Sequence, residues 1–393
     1  MNKEFNTLKV FEAFAGYGSQ SIALRNLGIP YEVVAISEID KYAIQAYESI
    51  HGKTNNLGDI SKIKVEDIPQ HDLFTYSFPC QSLSVAGKQA GLIRGQTRSG
   101  LLYECEKIIE HCRPKYLLME NVKNLVGKKF KPQFDEWLDY LEGLGYTNYW
   151  QVLNAKDYGV PQNRERVFVV SILGEHEPYE FPKPIPLDKC IKDILEENIN
   201  DKYYLSEETV KKLVFNENDS KQGGNRQSEI LEVGYIKKSE KGTKHQSNTV
   251  IDEDGIMRTL TASDYKAPQM ITYKGKEIEL PCITASRGRN PENPSDRTTG
   301  APTEQRLEIN TKGTSNTITT VQKDNYVLEL NYRIRKLTPR ECFRLMGMND
   351  DDIDKIQQAG ISNTQQYKMA GNSICVNVLE AIFRNLFVKN KIQ

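Results

Sequence analysis

Short apolar runs alternate with helical segments along the first part of the chain. Four of these runs have the length and composition of buried β-strands: 8–14, 31–36, 73–76 and 116–119. A helix is predicted over 20–27, between the first two runs, because Gly28 is a typical helix C-terminal residue. The alternation continues to about Leu173 and predicts an α/β domain with a doubly wound sheet.

The pattern changes between about 181 and 330, where Thr, Asn, Ser, Gly and Pro are frequent and long helical periodicity is missing. Alternate prolines over 182–186 predict a stiff connector into this region. Two pieces, 255–261 and 313–319, share the spelling Gly-x-x-x-Thr-[Leu/Ile]-Thr. Two copies are too few for a solenoid, so the pattern predicts a smaller domain of short strands and loops.

Helical signals return near the C-terminal end of the chain. Thr338 suits the N-cap of a helix, Pro339 its first position and Glu341 the matching place in a capping box. This helix should end at Gly347, a residue type that commonly follows a helix. A final amphipathic helix is predicted over 374–387, directly after a Gly-Asn-Ser turn.

Composition excludes several classes of protein. The chain has 393 residues, 38% of them apolar, which is enough for a sizeable core without disulfides or metals. Its seven cysteines are scattered and contain no Cys-x-x-Cys pair, and its five histidines show no metal-ligand spacing, so no metal site is predicted. The N-terminus is polar, and no apolar run approaches the ~20 residues that span a membrane. These features predict a soluble, cytoplasmic protein.

The distribution of charge is more informative than its sum. The net charge of −1 does not by itself indicate a polyanionic partner. Basic residues are nevertheless concentrated in three stretches that contain few acids: 88–98, 121–134 and 333–344. Because these stretches flank the candidate catalytic residues, they favour a nucleic acid partner over a merely solvated surface.

Four residues with complementary chemistry lie near the ends of predicted strands. Cys80 follows the third apolar run, Glu120 follows the fourth, and Arg164 and Arg166 lie in the sequence Gln-Asn-Arg-Glu-Arg. The carboxyl ends of strands form the ligand-binding edge of an α/β sheet. A thiol nucleophile, a carboxyl acid and paired guanidiniums at that edge form a set for covalent catalysis. Taken singly, the cysteine would be interpreted as a buried thiol, the glutamate as a surface acid and the arginines as ion-pair partners. The prediction of a catalytic site therefore rests on their occurrence together.

A second group of residues suits a nucleoside ligand. Gly16 and Gly18 form a Gly-x-Gly turn after the first predicted strand, and Glu38 follows Gly16 by 22 residues, the spacing of a carboxylate that binds ribose hydroxyls. Ser21 replaces the third glycine of a dinucleotide fingerprint, which favours a ligand without a pyrophosphate, such as S-adenosylmethionine (SAM). Asp59 is a candidate acceptor for the adenine amino group.

Read in order, these pieces resemble the DNA cytosine-5 methyltransferases of bacterial and phage restriction-modification systems. The resemblance covers about 1–176 and 333–393. It rests on the following motifs: Phe-x-Gly-x-Gly from Phe14, the acid Glu38, Gly58-Asp59-Ile60, Phe78-Pro79-Cys80-Gln81, Glu120-Asn121-Val122, Gln162-x-Arg164-x-Arg166, the block from Arg335 to Gly347, and Gly371-Asn372-Ser373. The middle region corresponds to the variable target-recognition domain of that family.

The resemblance implies a Rossmann-like, SAM-dependent methyltransferase domain formed by 1–178 and 333–393, with the C-terminal helix folded back onto it. It implies a smaller, mostly β and loop, target-recognition domain at 179–332. The residues expected to bind SAM are Phe14, Gly16, Gly18, Glu38, Ile39, Asp59, Leu102, Asn372 and Ser373. Family members often carry an aromatic residue at the position of Ile39, so the stacking contact on adenine is expected to be aliphatic here.

The resemblance also implies the reaction. The Cys80 thiolate would attack C6 of a cytosine flipped out of duplex DNA, after which C5 takes the methyl group. Glu120 would act at N3 and N4 of the base, and Arg164 and Arg166 would hold O2 and orient Glu120. The residues expected to contact DNA are Gln81, Ser84, Lys88, Arg94, Thr259, Leu260, Thr317 and Ile318. The expected partners are double-stranded DNA and a cognate restriction endonuclease, and the chain is expected to act as a monomer.

Three other functions compete with this interpretation. A tRNA cytosine-5 methyltransferase would share the fold, but the Thr/Asn-rich insert and the loop that starts at Cys80 are more typical of the members that modify DNA. A nicotinamide-dependent oxidoreductase is disfavoured by the missing third glycine. A non-catalytic DNA-binding protein is disfavoured because all three catalytic motifs are intact.

Overall fold

The computed structural model of the chain describes residues 7–79, 83, 98–210, 213–215, 229–237, 244–273, 281–289, 304–309, 325–329 and 333–388. Seven residues of the predicted site lie outside the described residues: Cys80, Gln81, Ser84, Lys88, Arg94, Thr317 and Ile318. Among the described residues, no helix has the length and apolar composition needed to cross a bilayer.

Sixteen strands are described. They are β1 Leu8–Ala13, β2 Tyr31–Ser37, β3 Leu73–Tyr76, β4 Tyr116–Val122, β5 Tyr146–Asn154, β6 Gln162–Asn163, β7 Glu165–Leu173, β8 Leu213–Phe215, β9 Glu232–Ile236, β10 Thr249–Ile251, β11 Met257–Arg258, β12 Met270–Tyr273, β13 Pro281–Arg289, β14 Glu304–Ile309, β15 Asn325–Glu329 and β16 Arg333–Lys336. The four strands predicted from the apolar runs are confirmed as β1 to β4, although β4 continues through Glu120 to Val122.

The α-helices of the described residues are α1 Ser19–Asn26, α2 Lys41–His51, α3 Leu102–Cys112, α4 Lys131–Gly143, α5 Glu207–Val210, α6 Pro339–Arg344, α7 Asp350–Gln358, α8 Asn363–Asn372 and α9 Val376–Phe383. The capping box predicted for α6 is present, since Thr338 Oγ1 accepts from the Glu341 N–H and the Glu341 carboxylate accepts from the Thr338 N–H. The last predicted helix is shorter than expected, because a π-helical turn at Arg384–Val388 replaces its end.

The main sheet has six strands in the order β2-β1-β3-β4-β7-β5. Strands β2, β1, β3 and β4 run parallel, whereas β7 is antiparallel to both of its neighbours. The prediction that each arginine lies at the carboxyl end of a strand holds for Arg164, which directly follows β6, and is wrong for Arg166, because β7 begins at Glu165. Since β7 runs opposite to β4, its first residues still lie at the carboxyl edge of the sheet, with Arg166 opposite Val122.

Each face of this sheet is covered by a separate core, as expected for a doubly wound fold. In β1, Val10 packs in a cluster with α1 and α9, whereas its neighbour Phe11 packs in a second cluster with α3 and α4. The alternation follows from the two-residue period of side chains along a strand. Helix α9 packs against α1, and Asn26 Nδ2 donates to Glu380 Oε1 at 2.7 Å. The C-terminal segment therefore lies on the N-terminal βαβ unit.

The middle of the chain forms further sheets, in the orders β16-β12-β10-β9-β8 and β14-β13-β15. Strand β16, which directly precedes α6, pairs antiparallel with β12 over four residues from Arg333 to Lys336. A second link is the short parallel pair of β11 with β6, in which Met257 lies opposite Gln162. Within the described residues, backbone pairing thus links the middle region to the main domain at β16 and at β6, and Tyr204 forms a further bridge with Arg335.

One buried carboxyl group should make the stability of this fold dependent on pH. Glu12 in β1 is fully buried and accepts a hydrogen bond from Ser21 Oγ at 2.8 Å. Burial, opposed in part by this hydrogen bond, raises the pKa of Glu12 to about 7 from an ordinary value of 4.5. The unfolded chain therefore ionises first as pH rises, and stability present below 4.5 is lost progressively up to about 7.

We expect Glu12→Gln to remove this loss, which amounts to about 3 kcal/mol when the shift is converted at the standard rate per pKa unit. The difference in unfolding free energy between the variant and the wild type should therefore move in favour of the variant between pH 5 and pH 8. Urea denaturation at both pH values measures it. Glu32→Gln, on the exposed side of β2, is the control. An identical difference at both pH values for Glu12→Gln would contradict the expectation.

Candidate active site

The candidate acid and one arginine form an ion pair at the carboxyl edge of the main sheet. Arg166 Nε lies 3.2 Å from Glu120 Oε1, and the two side chains are only 16% and 10% exposed. The pair arises because β4 and β7 are antiparallel neighbours, which places the end of one strand beside the start of the other. A charge-assisted contact of this kind fixes the direction in which the carboxyl group points.

Burial is the main influence on the titration of Glu120. It raises the pKa of this carboxyl group above the ordinary value of 4.5, while the positive charges of Arg166 and Arg164 oppose the rise. The protonated form of Glu120 therefore persists to higher pH than that of an exposed glutamate. A carboxyl group in this state can donate a hydrogen bond, which is the role of a general acid.

The backbone that leads to Cys80 is held against the same edge. Asn121 Nδ2 donates to Phe78 O at 3.0 Å, and Ser99 Oγ donates to Pro79 O at 2.7 Å. Asn124 Nδ2 donates to Leu83 O at 2.6 Å on the far side of the cysteine. Cys80 itself lies outside the described residues, but the residues on either side of it are anchored to the segment that carries Glu120.

Arg164 is placed differently from Arg166. Its side chain is buried and donates to three backbone carbonyls, those of Leu260 at 3.0 Å, Gly371 at 3.1 Å and Ser373 at 2.6 Å. Burial and the adjacent charge of Arg166 lower the pKa of Arg164 to about 9, so the guanidinium stays charged at neutral pH. Arg164 thereby joins the middle region to the turn before α9.

Thr259 and Leu260 adjoin this arginine. Gln162 Oε1 accepts from the Leu260 N–H at 3.2 Å, and Thr259 Oγ1 donates to Asn163 O at 2.7 Å. The side chain of Leu260 is only 2% exposed. These contacts anchor the segment to the main domain, so the role predicted for Leu260 at the DNA stays a prediction without support from this geometry. Gln162 was not among the predicted site residues, although it belongs to the same motif.

The turn that contains Gly16 and Gly18 lies beside Glu38, the carboxylate predicted to bind a ribose. The Gly16 N–H donates to Glu38 Oε2 at 3.0 Å, and Phe14, with φ of 56°, makes the bend that leaves β1. Gly18 has a φ of 81°, and a Cβ there would lie 2.5 Å from His51 Nε2. Only glycine suits both the backbone angle and this close approach. The turn therefore holds backbone N–H groups close to the start of α1.

Glu38 retains capacity for a ligand. Its carboxylate also accepts from the N–H groups of Ile39 and Asp40, both at 2.8 Å. Together with the bond from Gly16 this makes three, whereas two carboxylate oxygens offer about four acceptor positions. Ile39 is 72% exposed, which is unusual for an isoleucine and leaves an apolar surface beside the carboxylate. An acidic group next to an open apolar surface suits a ribose with its attached base.

The remaining predicted cofactor residues surround the same end of the sheet. Asp59 Oδ1 accepts from the Ser61 N–H at 3.1 Å and from Ser61 Oγ at 2.8 Å, and these bonds lower the pKa of Asp59. Ser373 Oγ lies 2.8 Å from Ser19 Oγ at the start of α1, and Asn372 is exposed. Leu102, the first residue of α3, is 1% exposed and packs in the second core. Among the described residues, no group of three or more His, Cys, Asp or Glu side chains could hold a metal ion.

The fold and this edge define an α/β protein with a buried acid–guanidinium pair at the carboxyl edge of its main sheet. The model of the family described as C-5 cytosine-specific DNA methylase matches residues 8–388. The chain therefore belongs to this family and is a DNA cytosine-5 methyltransferase. This confirms the resemblance found in the sequence motifs.

Similar proteins come from bacteria and phages. The chain is 36% identical to the type II methyltransferase M2.ScrFI of Lactococcus lactis subsp. cremoris, over 97% of this chain and 99% of that protein. It is 33% identical to the orphan methyltransferase M.SPBetaI of Bacillus phage SPbeta, over 96% and 97% respectively. The fold is similar to that of the Entamoeba histolytica methyltransferase EhMeth, with a TM-score of 0.64, 16% identity and coverage of 97% and 98%.

Proposed function

We propose that this enzyme transfers the methyl group of SAM to C5 of a flipped cytosine in a specific DNA sequence, through a covalent bond between Cys80 and C6. The observation that carries the proposal is the buried Glu120–Arg166 pair, which shares one sheet edge with the anchored backbone around Cys80. The family supplies the reaction class, and the position of these groups supports the individual roles.

Cytosine C5 is a poor nucleophile, so the side chains of the site must activate it before it can accept a methyl group. The Cys80 thiolate attacks C6 and forms a carbon–sulfur bond, which makes C5 an enamine carbon. Glu120 donates a hydrogen bond or proton at N3 and thus quenches the negative charge that builds on the ring. Once C5 is methylated, loss of the C5 proton expels the thiolate and restores the aromatic ring. Arg166, in contact with Glu120, is the better placed arginine to orient this acid and to reach O2 of the base.

SAM supplies an activated methyl group on its sulfonium. We assign its ribose hydroxyls to Glu38, its adenine to the exposed face of Ile39 and to Asp59, and its amino acid end to the turn at Gly16 and Gly18. The open acceptor capacity of Glu38 and the 72% exposure of Ile39 support this assignment. Phe14, Leu102, Asn372 and Ser373 complete the predicted set, and the Ser19–Ser373 contact supports placing the turn before α9 at the mouth of the pocket.

DNA is held, in this proposal, between the basic stretches 88–98 and 121–134 of the main domain and the middle region, 179–332. The stretch 333–344 is left out of this surface, because Arg335 is fully buried against Glu341 and because Arg340 and Arg344 form ion pairs with Asp354 and Asp350. Flipping the base costs a few kcal/mol, which contacts to phosphates can offset. The enzyme is further proposed to act as a monomer in the cytoplasm. A cognate restriction endonuclease remains a proposed partner.

Bisulfite sequencing of unmethylated plasmid DNA treated with the enzyme and SAM tests the function. Protected cytosines in one recurring short context are expected. Exchange of 181–332 for the same region of a relative should change that context, and an unchanged context would contradict the role of this region in reading DNA. Complete conversion of every cytosine, with SAM binding shown separately, would reject DNA methylation and make tRNA the next substrate to assay.

Glu120→Gln should reveal the acid in the pH profile. The variant cannot donate a proton, so we expect methyl transfer to fall by about 10²-fold. In the wild type the rate should decline as rising pH ionises Glu120, while the raised pKa places that decline above the range of an exposed glutamate. Single-turnover rates from pH 5 to pH 9 measure both effects. If the variant keeps the wild-type rate and the same alkaline decline, Glu120 is not the acid.

A further inference from the structure

The side chain of Asn56 bridges two turns of the proposed cofactor pocket. Asn56 Nδ2 donates to Glu38 O at 3.0 Å, and Asn56 Oδ1 accepts from the N–H groups of Glu38 at 3.2 Å and Gly58 at 2.9 Å. We propose that Asn56 is a positioning residue that holds the Glu38 turn and the Asp59 turn at the separation SAM requires. The inference rests on the proposed binding of SAM at these two acids.

The side-chain contacts of Asn56 begin where the backbone pairing between its segment and β2 ends. The segment before Gly58 lies alongside the end of β2, since the Ile36 N–H donates to Asn55 O at 2.9 Å and the Leu57 N–H donates to Ile36 O at 2.8 Å. Asn56 forms an isolated parallel bridge with Ile36. The backbones separate after Ile36, and the carboxamide of Asn56 takes over the contact with Glu38. A carboxamide presents one donor side and one acceptor side, as a peptide group does, so it can pair with both backbone groups of Glu38.

Gly58 is fixed on both of its backbone groups. Its N–H donates to Asn56, and its carbonyl accepts from Ser37 Oγ at 2.7 Å. With a φ of 76°, Gly58 turns the chain into Asp59. The direction in which Asp59 leaves this turn is therefore set by two side chains that also hold the end of β2.

These contacts connect three parts of the pocket in series. The Gly16 N–H holds the carboxylate of Glu38, Asn56 holds its backbone, and the same carboxamide holds Gly58 next to Asp59. When adenosine is bound in one glycosidic conformation, its ribose hydroxyls and its adenine amino group lie at one set distance. A pocket with two acids at that distance binds it without paying to order the turns at the moment of binding. Asn56 itself is not needed to touch the ligand.

The test measures cofactor affinity apart from turnover. Without all three hydrogen bonds, Asn56→Ala should raise the KM for SAM, and the Kd for S-adenosylhomocysteine by calorimetry, about 10-fold or more. The turnover number at saturating SAM and the KM for DNA should stay within about 2-fold, since the hydrogen bonds of Asn56 go to Glu38 and Gly58, which belong to the proposed cofactor site. Asn56→Asp keeps the acceptor for both N–H groups but loses the donor and adds a negative charge next to the Glu38 carbonyl. Its affinity should lie between those of the wild type and Asn56→Ala. Asn55→Ala changes an exposed neighbour and should bind as the wild type does.

The outcomes separate this inference from the proposed function. If the wild type binds S-adenosylhomocysteine and Asn56→Ala binds it equally well, the positioning role is wrong while the function stands. If Asn56→Ala lowers the turnover number with an unchanged KM for SAM, the role is also wrong. A wild type that binds no S-adenosylhomocysteine would overturn the cofactor assignment and this inference together. Should Asn56→Ala melt without ligand below the assay temperature, Asn56→Asp decides by the same comparison.

Discussion

Cys80→Ser should lower the rate of methyl transfer by at least about 10⁴-fold, because a serine hydroxyl is a far weaker nucleophile than a thiolate and the reaction depends on a covalent bond at C6. Affinity for DNA should persist, since the contacts to phosphates do not involve this atom. Single-turnover transfer of a labelled methyl group to duplex DNA measures the rate, and a mobility-shift assay measures binding. Of the substitutions considered, this one has the largest expected effect on activity.

A trapped intermediate makes the test specific. In DNA with 5-fluorocytosine at the target position, C5 has no proton to lose after methylation, so the thiolate cannot be expelled. The wild type should therefore remain covalently attached to this DNA in denaturing gels, and Cys80→Ser should not. Cys112→Ala, which removes a buried thiol at the far end of α3, is the matched control and should form the complex as the wild type does. A complex that survives in Cys80→Ser would show that another residue is the nucleophile.

Several strands and helices of the fold can be predicted from local sequence signals. The apolar runs, Gly28 after α1 and the capping residues Thr338 and Glu341 are all short-range features, and the structure confirms each of them. The proximity of Glu120 and Arg166 was predicted correctly, but the strand direction assumed for the arginine was wrong. Nothing in the sequence between 162 and 173 distinguishes an antiparallel strand from a parallel one, so the arginines were placed at the end of a strand. Their proximity to Glu120 depends instead on the reversed direction of β7.

Long-range roles were harder to predict. The Thr259-Leu260 pair has the composition of an exposed recognition strand, but Gln162 and Arg164, more than 90 residues earlier, bind its backbone. Asn56 lies in a Lys-Thr-Asn-Asn sequence that looks like an ordinary polar turn. Its proposed role depends on Glu38, which lies 18 residues earlier and directly follows β2. Side chains that bind distant backbone groups leave no periodic pattern in the sequence, because one contact constrains one residue only.

One buried ion pair lies where the middle region joins the main domain. Arg335 in β16 and Glu341 in α6 are both fully buried, and their two bonds, Nη1 to Oε2 at 2.8 Å and Nη2 to Oε1 at 2.7 Å, form a bidentate pair. The same carboxylate accepts from the N–H groups of Thr338 and Glu196, each at 2.8 Å. Glu341 thus ties the last strand of the second sheet, the start of α6 and the connector at 196 together.

Glu341→Ala should therefore lower the unfolding free energy by about 3–5 kcal/mol, because it leaves a guanidinium buried without its counter-ion and two N–H groups without an acceptor. Arg335→Met with Glu341→Ala should recover part of this loss, since the uncompensated charge is then gone. Lys107→Ala breaks an exposed ion pair with Glu104 and should cost less than about 1 kcal/mol. Urea denaturation of the three variants measures these values. If Glu341→Ala is no more harmful than Lys107→Ala, the junction is held by the pairing of β12 with β16 rather than by this ion pair.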